Sequence, residues 1–281
     1  MSTGFGRPPL RETITGWIIA VNVAVAVVGV FLVWSGRPNY VMEYGSLYVP
    51  DLFLGRLWEI FTYMWVHAEL QGFGILHILF NMMTLAAFGP VVERNLGSVH
   101  FLKIYFLGGI VSAIFFIGET LVHMSLGEAT VLPLVGASGA VLAICAAFAS
   151  MFPDTKLFLM FIPFPIKART VVIGTIVISI LFMVLDQGGF IAHSAHLGGL
   201  LFGLFYMHRL RGKLSKIGYP VGQPAQEVPI TVLERMEDPM EHWNEERLDA
   251  EANHVLEKIS RYGLHHLTDR DRDILARARR K

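Results

Sequence analysis

The chain has 281 residues, of which 53% are hydrophobic and only 16% charged, with a mean hydropathy of +0.51. A soluble domain carries about 25% charged residues, so this composition excludes an ordinary soluble protein and points to a membrane protein. Its 23 basic and 23 acidic residues cancel, which favours no class of partner, and no nucleic-acid partner is expected. A lone Cys145 excludes an intrachain disulfide and a cysteine zinc site.

A polar segment, 1–12, holds Arg7 and Arg11. The apolar run 13–34 is long enough to cross a hydrocarbon core of about 30 Å. It is too long for a removable signal peptide and lacks a small-residue cleavage pattern. Residues 35–74 mix Pro38, Pro50, Tyr40, Tyr44, Tyr48, Trp58 and Tyr63 with apolar stretches too short to span. That pattern predicts a membrane-associated loop with an aromatic belt. Further spans are expected at 75–92, 101–122, 136–152 (closed by Pro153), 170–185 and 194–208. The last ends at Arg209, Arg211, Lys213 and Lys216.

Charge changes abruptly at 208/209: residues 1–208 carry 9 Lys/Arg and 10 Asp/Glu, residues 209–281 carry 14 and 13. With the N-terminus inside, the inner segments hold Arg7, Arg11, Arg94, Lys103, Lys156, Lys167, Arg169 and the cluster after 208. The outer segments hold only Arg37 and Arg56. The positive-inside rule therefore favours six spans with both termini cytoplasmic. Beyond the spans, 209–237 reads as a linker, with Pro220, Gly222, Gln223 and Pro224. Residues 238–281 read as a two-helix module. Asp238-Pro239 suits a helix start, and Val255, Leu256 and Ile259 repeat at helical spacing. Gly263 suits a C-cap, and Thr268-Asp-Arg-Asp271 resembles a capping box before Ile274, Leu275 and Ala278. The fold expected is an all-α membrane bundle with a small cytoplasmic helical tail.

Polar residues inside the spans carry the functional signal. Ser138 lies between glycines in Gly136-Ala-Ser138-Gly139, near the start of the fourth span. Taken alone, that motif reads as helix packing, with Gly136/Ala140, Gly139/Ala143 and Gly199/Gly203 allowing close approach. Depth changes the reading. At about 1.5 Å per helical residue, Ser138 stands roughly 22 Å above the inner boundary, His196 roughly 20 Å, and Asn81 and His77 roughly 18 and 24 Å. Four polar residues at one level belong on an inward face. A serine needs a base within reach, and His196 can serve. The N-terminus of the fourth span offers free backbone N–H groups to an oxyanion. His77 and Asn81, at i and i+4, share one helix face. No aspartate lies at this level, so the pattern predicts a dyad rather than a triad.

Helix-borne His77-x-x-x-Asn81, Gly136-x-Ser138-Gly139 and Ala195-His196-x-x-Gly199-x-x-x-Gly203, in that order, resemble the rhomboid family of intramembrane serine proteases over about 13–208. The resemblance implies a rhomboid-like six-helix catalytic domain, a Ser138 nucleophile and a His196 base. It also implies an oxyanion hole from His77, Asn81 and the Ser138 N–H. Gly89, Glu93-Arg94 and Gly97 resemble the family's second-to-third-span turn, implying a structural role for Glu93 and Arg94. Two positions depart from the pattern. Trp58-Glu59 stands where members often have Trp-Arg, and Leu142 stands where some place an aromatic against the histidine.

Other polar residues read as structural. His67 suits packing of the first loop, His193 a loop at the outer mouth, Glu119 and His123 an interfacial pair. Asn22 suits interhelical bonding, and Cys145 packing. No His-Glu-x-x-His is present, and neither a metal nor a cofactor is expected. The function expected is intramembrane endopeptidase cleavage of single-span membrane proteins within the lipid bilayer. The tail resembles a short domain appended to some bacterial rhomboids, which places the chain in a bacterial inner membrane. Its two amphipathic helices read as a module that docks a cytoplasmic partner, the alternative being a solvated tail with transient helix. The alternative is a non-catalytic rhomboid-like protein that binds transmembrane helices.

Overall fold

A computed structural model describes residues 10–68, 74–127, 132–159, 162–185, 192–216, 244–262 and 269–278. The chain divides into two compact units, Met1–Ile230 and Thr231–Lys281. The described elements are helical apart from a hairpin of two residues per strand, β1 (Lys156–Leu157) and β2 (Ile166–Lys167).

In the first unit, α1 (Ile14–Trp34) is capped by Thr13, whose hydroxyl accepts from Gly16 N at 3.0 Å. A second cap comes from a distant residue. The Glu93 carboxylate accepts from Ile14 N and Thr15 N at 2.9 Å each and from Thr15 Oγ1 at 2.7 Å. A negative charge complements the free N–H groups and dipole of a helix start. The structural role expected for Glu93 is thus a cap on the first helix.

The loop after α1 contains α2 (Tyr40–Gly45), α3 (Val49–Leu52) and α4 (Glu59–Thr62). Then α5 (Gly74–Ser125) runs 52 residues but breaks at Gly97, where φ 79 and ψ 159 leave the helical region. That conformation is open to glycine and strained for other residues. The expected second and third spans are its two halves, 74–96 and 98–125. Next come α6 (Ser138–Met151), α7 (Ala168–Leu185) and α8 (His193–Lys216). The fourth helix starts at Ser138 rather than 136, and the sixth continues past Arg209 to Lys216. A helix need not end where its lipid-facing stretch ends. Among the described residues, α1 and α5 are long and apolar enough to cross a membrane, and Ser138–Met151 and Ala168–Met183 are shorter apolar helices.

The Gly- and Ala-rich α6 is the buried centre, packed by α5 and α8. A Cβ at Gly199 would collide with Gly139 O, one at Gly203 with Ala143 O, and one at Gly108 would lie 2.5 Å from Ala143 Cβ. The small-residue faces therefore bring backbones together. The pair that faces α8 is Gly139/Ala143, since Gly136 precedes the helix.

The second unit contains α9 (Glu245–Tyr262) and α10 (Asp269–Ala278). Asn244 caps α9, its side chain accepting from Arg247 N at 3.0 Å. Ala252, Val255 and Ile274 form a small core, flanked by Leu248, Ile259, Leu275 and Ala278. Leu256, expected on the apolar stripe, is 53% exposed. Lys258 pairs with Asp271 at 2.6 Å. Asp238, Pro239, Gly263 and Thr268, and the linker signals Pro220, Gly222, Gln223 and Pro224, lie outside the described residues.

Candidate active site

The backbone that delivers Ser138 is held by the first loop. Leu47 and Leu134 exchange N–H···O bonds at 2.9 and 2.8 Å, and Gly136 N donates to Tyr63 O at 3.0 Å. Tyr63, buried, is itself fixed through its hydroxyl to Gly109 O at 2.7 Å. Gly136 then turns the chain at φ 109. A Cβ there would lie 2.6 Å from both Cε1 and Nε2 of His77. Glycine is required twice over, for the dihedral and for the histidine beside it.

Ser138 is the first residue of α6, and the first bond of the helix is Val141 N to Ala137 O at 2.9 Å. The N–H groups of Ser138, Gly139 and Ala140 thus have no acceptor within the helix. His196 lies in the first turn of α8, and its Nε2 is 2.8 Å from Ser138 Oγ. The two residues are brought together by the glycine contacts one turn further on. His77 and Asn81, from the first half of α5, line a cavity of about 950 Å³ with Ser138, Leu142 and His196. Asn81 Nδ2 donates to His77 O at 2.9 Å; a primary amide carries a second N–H. Thus the four polar residues that the depth count placed at one level do line one cavity. This geometry has the parts of serine acyl transfer: hydroxyl, imidazole and a cluster of donors beside the hydroxyl.

Several neighbours make contacts beyond the roles expected of them. His193 is the first residue of α8, stacked on Phe182 of α7 with centroids 5.1 Å apart and planes at 17°. It meets the His196 ring edge-on at 6.5 Å and 87°. Ser194 donates to Glu119 at 2.5 Å, a contact absent from the expected Glu119–His123 pairing. His67 is buried against the His77 ring at 5.4 Å. Burial first, and the His77 ring second, lower its pKa to about 4, so it is neutral at pH 7. Asn22 is buried, and its Nδ2 donates to Ile18 O at 2.8 Å, a bond inside α1 where interhelical bonding was expected. Glu59 is buried and accepts from Tyr48 N at 2.9 Å. The sequence signal for Glu59 was its departure from Trp-Arg; Glu119 offered only an acid within a span. Among the described residues, no group of three His, Cys, Asp or Glu is arranged to hold a metal ion.

Residues 54–213 match the rhomboid domain family. Among similar curated proteins, the chain is 31% identical over 145 residues to presenilin-associated rhomboid-like protein A, mitochondrial, of Danio rerio. That match covers 50% of this chain and 36% of the relative. It is 28% identical over 228 residues to RHOMBOID-like protein 12, mitochondrial, of Arabidopsis thaliana, covering 74% and 64%. It is 29% identical over 131 residues to rhomboid protein 1, mitochondrial, of Saccharomyces cerevisiae, covering 46% and 36%. The chain thus spans between about a third and two thirds of these relatives' lengths. The bacterial inner membrane expected above, with cytoplasmic termini, is overturned by these relatives, all of which are mitochondrial by name. Resemblance in the core motifs carried no information on compartment, which is why that expectation failed. The motifs, the buried glycine-packed α6 and the domain match over more than half the sequence converge: the chain belongs to the rhomboid family.

Proposed function

We propose that the chain is an intramembrane serine endopeptidase, a six-span bundle over 13–208, that cleaves single-span membrane proteins. The observation that carries this reading is the 2.8 Å approach of His196 Nε2 to Ser138 Oγ inside the cavity that His77 and Asn81 line. Ser138 Oγ attacks the scissile carbonyl carbon while His196 accepts its proton. The carbonyl oxygen, now an oxyanion, takes hydrogen bonds from the Ser138 N–H, His77 and Asn81. The imidazolium then protonates the leaving amine, and the C–N bond breaks. Water, deprotonated by His196, attacks the acyl ester; collapse of that intermediate returns the proton to Ser138 and releases the acid. Because helical carbonyls are already bonded, the reading favours substrates whose spans unwind readily near the cut. The names of the relatives favour a mitochondrial membrane. The linker 209–237 and the module 238–281 serve a docking role toward a partner protein on the side of the basic residues.

Purified protein in detergent, given a tagged single-span substrate, tests this. Ser138→Ala and His196→Ala should each lower cleavage by about 10³-fold or more. Equal cleavage by all three proteins would end the dyad reading. Absent cleavage with retained substrate binding would favour the helix-binding alternative.

A further inference from the structure

Glu119 lies in the second half of α5 and is partly buried. An ionisable residue within a span is costly unless it has a partner. Its partner here is the Ser194 hydroxyl, 1% exposed, which donates to Oε2 at 2.5 Å. Ser194 is the second residue of α8 and lies two before His196. The same interface continues one turn along. A Cβ at Gly198 would lie 3.0 Å from Phe115 Cβ and from Val111 O. So 194 faces 119 while 198 faces 115 and 111, and the two helices run antiparallel with a fixed offset. The Gly198 contact is smooth and restrains separation. Within this interface the Glu119–Ser194 bond is directional, and it restrains both sliding and rotation of the first turn of α8. The carboxylate also lies beside the N-terminal end of α8, where a negative charge is favoured.

We propose that Glu119 is a positioning residue for the dyad: through Ser194 it sets the register of α8 and so the His196 Nε2–Ser138 Oγ approach. This rests on the dyad reading above. It places a carboxylate in the service of the histidine through the helix backbone rather than through the ring. A small displacement of a reacting group costs much more in turnover than in substrate binding.

The test compares Glu119→Ala, Glu119→Gln, Ser194→Ala and the Glu119→Ala/Ser194→Ala double variant. Two readouts are used, steady-state cleavage of a single-span substrate and the rate at which a fluorophosphonate labels Ser138. Glu119→Ala should lower kcat and labelling by about tenfold or more with KM unchanged. Glutamine, whose carbonyl accepts the same hydrogen bond, should restore both. Ser194→Ala should match Glu119→Ala, and the double variant should fall no further. Wild-type kcat in Glu119→Ala, a change in KM alone, additive losses, or a Gln variant as poor as the Ala variant each overturns the proposal. If Glu119→Ala does not fold, Ser194→Ala, which removes one oxygen, decides by the same criteria. Wild-type protein that neither cleaves nor labels overturns the protease reading and this inference with it. Active wild type with insensitive variants overturns this inference alone.

Discussion

Glu59 sits in the first loop with no exposed surface. One carboxylate oxygen takes the Tyr48 N–H at 2.9 Å, and the other lies 3.6 Å from Arg56. Arg56 is shared, at 2.7 Å from Asp51 and 5.2 Å above the Tyr44 ring. Burial raises the Glu59 pKa above its ordinary value, with the Tyr48 N–H and Arg56 pulling the other way. The folded state therefore holds this proton more tightly than the unfolded chain. The stability it contributes is complete below the ordinary glutamate range and is lost as pH rises through the raised folded value. Glu59→Gln carries no such dependence. The melting midpoint of wild type should rise relative to Glu59→Gln as pH falls from 7 toward 4, in detergent unfolding at matched salt. A constant difference would show that burial does not perturb this carboxyl. At this scale the sequence was readable where a polar side chain had to be satisfied at depth, as for His77, Asn81, Ser138 and His196. It marked Glu59 only as a departure from Trp-Arg and did not reveal its burial, because an acid in an interfacial loop satisfies the same pattern whether buried or wet.

Between α6 and α8 the backbones touch, and the consequence is testable on one glycine. The atom that a Cβ at Gly199 would strike is Gly139 O, a backbone atom one residue from Ser138. Backbone cannot yield as a side-chain tip does, so Gly199→Ala should cost about 1–3 kcal/mol of stability by overpacking. It should also lower cleavage by roughly 10²-fold as α8 moves off Ser138. Gly174 on α7 has nothing within 4 Å of its Cβ position, so Gly174→Ala should keep full cleavage and an equal or higher melting midpoint, as an open helical glycine does. Thermal unfolding and cleavage of the two variants, side by side, decide it. The small-residue spacing was legible beforehand, because close helix approach requires it. Gly136 was not separable from it: a packing glycine and a turning glycine look alike until the backbone dihedral is known. The end of α8 was misplaced for a similar reason, since charge marks the edge of lipid and hydrogen bonding marks the edge of a helix. Arg211 shows this directly, donating to Ser150 O from a turn beyond the expected end.

For the molecule as a whole, the proposed function assigns cleavage to the first compact unit alone. The second unit has a core of its own, Ala252, Val255 and Ile274, and its own ion pair, Lys258–Asp271. That core is small, as expected of two short helices. On the proposed division of labour, truncation after Lys216 should leave detergent cleavage of a single-span substrate unchanged. Lost activity in a truncated protein that still folds would mean that the second unit shapes the first. The amphipathic spacing of α9 and α10 was visible in the sequence, but Leu256 shows its limit. Leu248, Ala252, Val255 and Ile259 make the stripe, and a leucine beside it stays in solvent.

Ser138 and His196 stand 58 residues apart in the chain and meet only when α8 packs on α6. During synthesis the serine therefore emerges well before the imidazole proposed as its base. Until α8 docks, the hydroxyl is an ordinary alcohol. A half-made chain is chemically silent toward its neighbours in the membrane, and any product terminated before residue 196 stays so. On the proposed function, the order of assembly does what a removable inhibitory segment does in proteases that carry one.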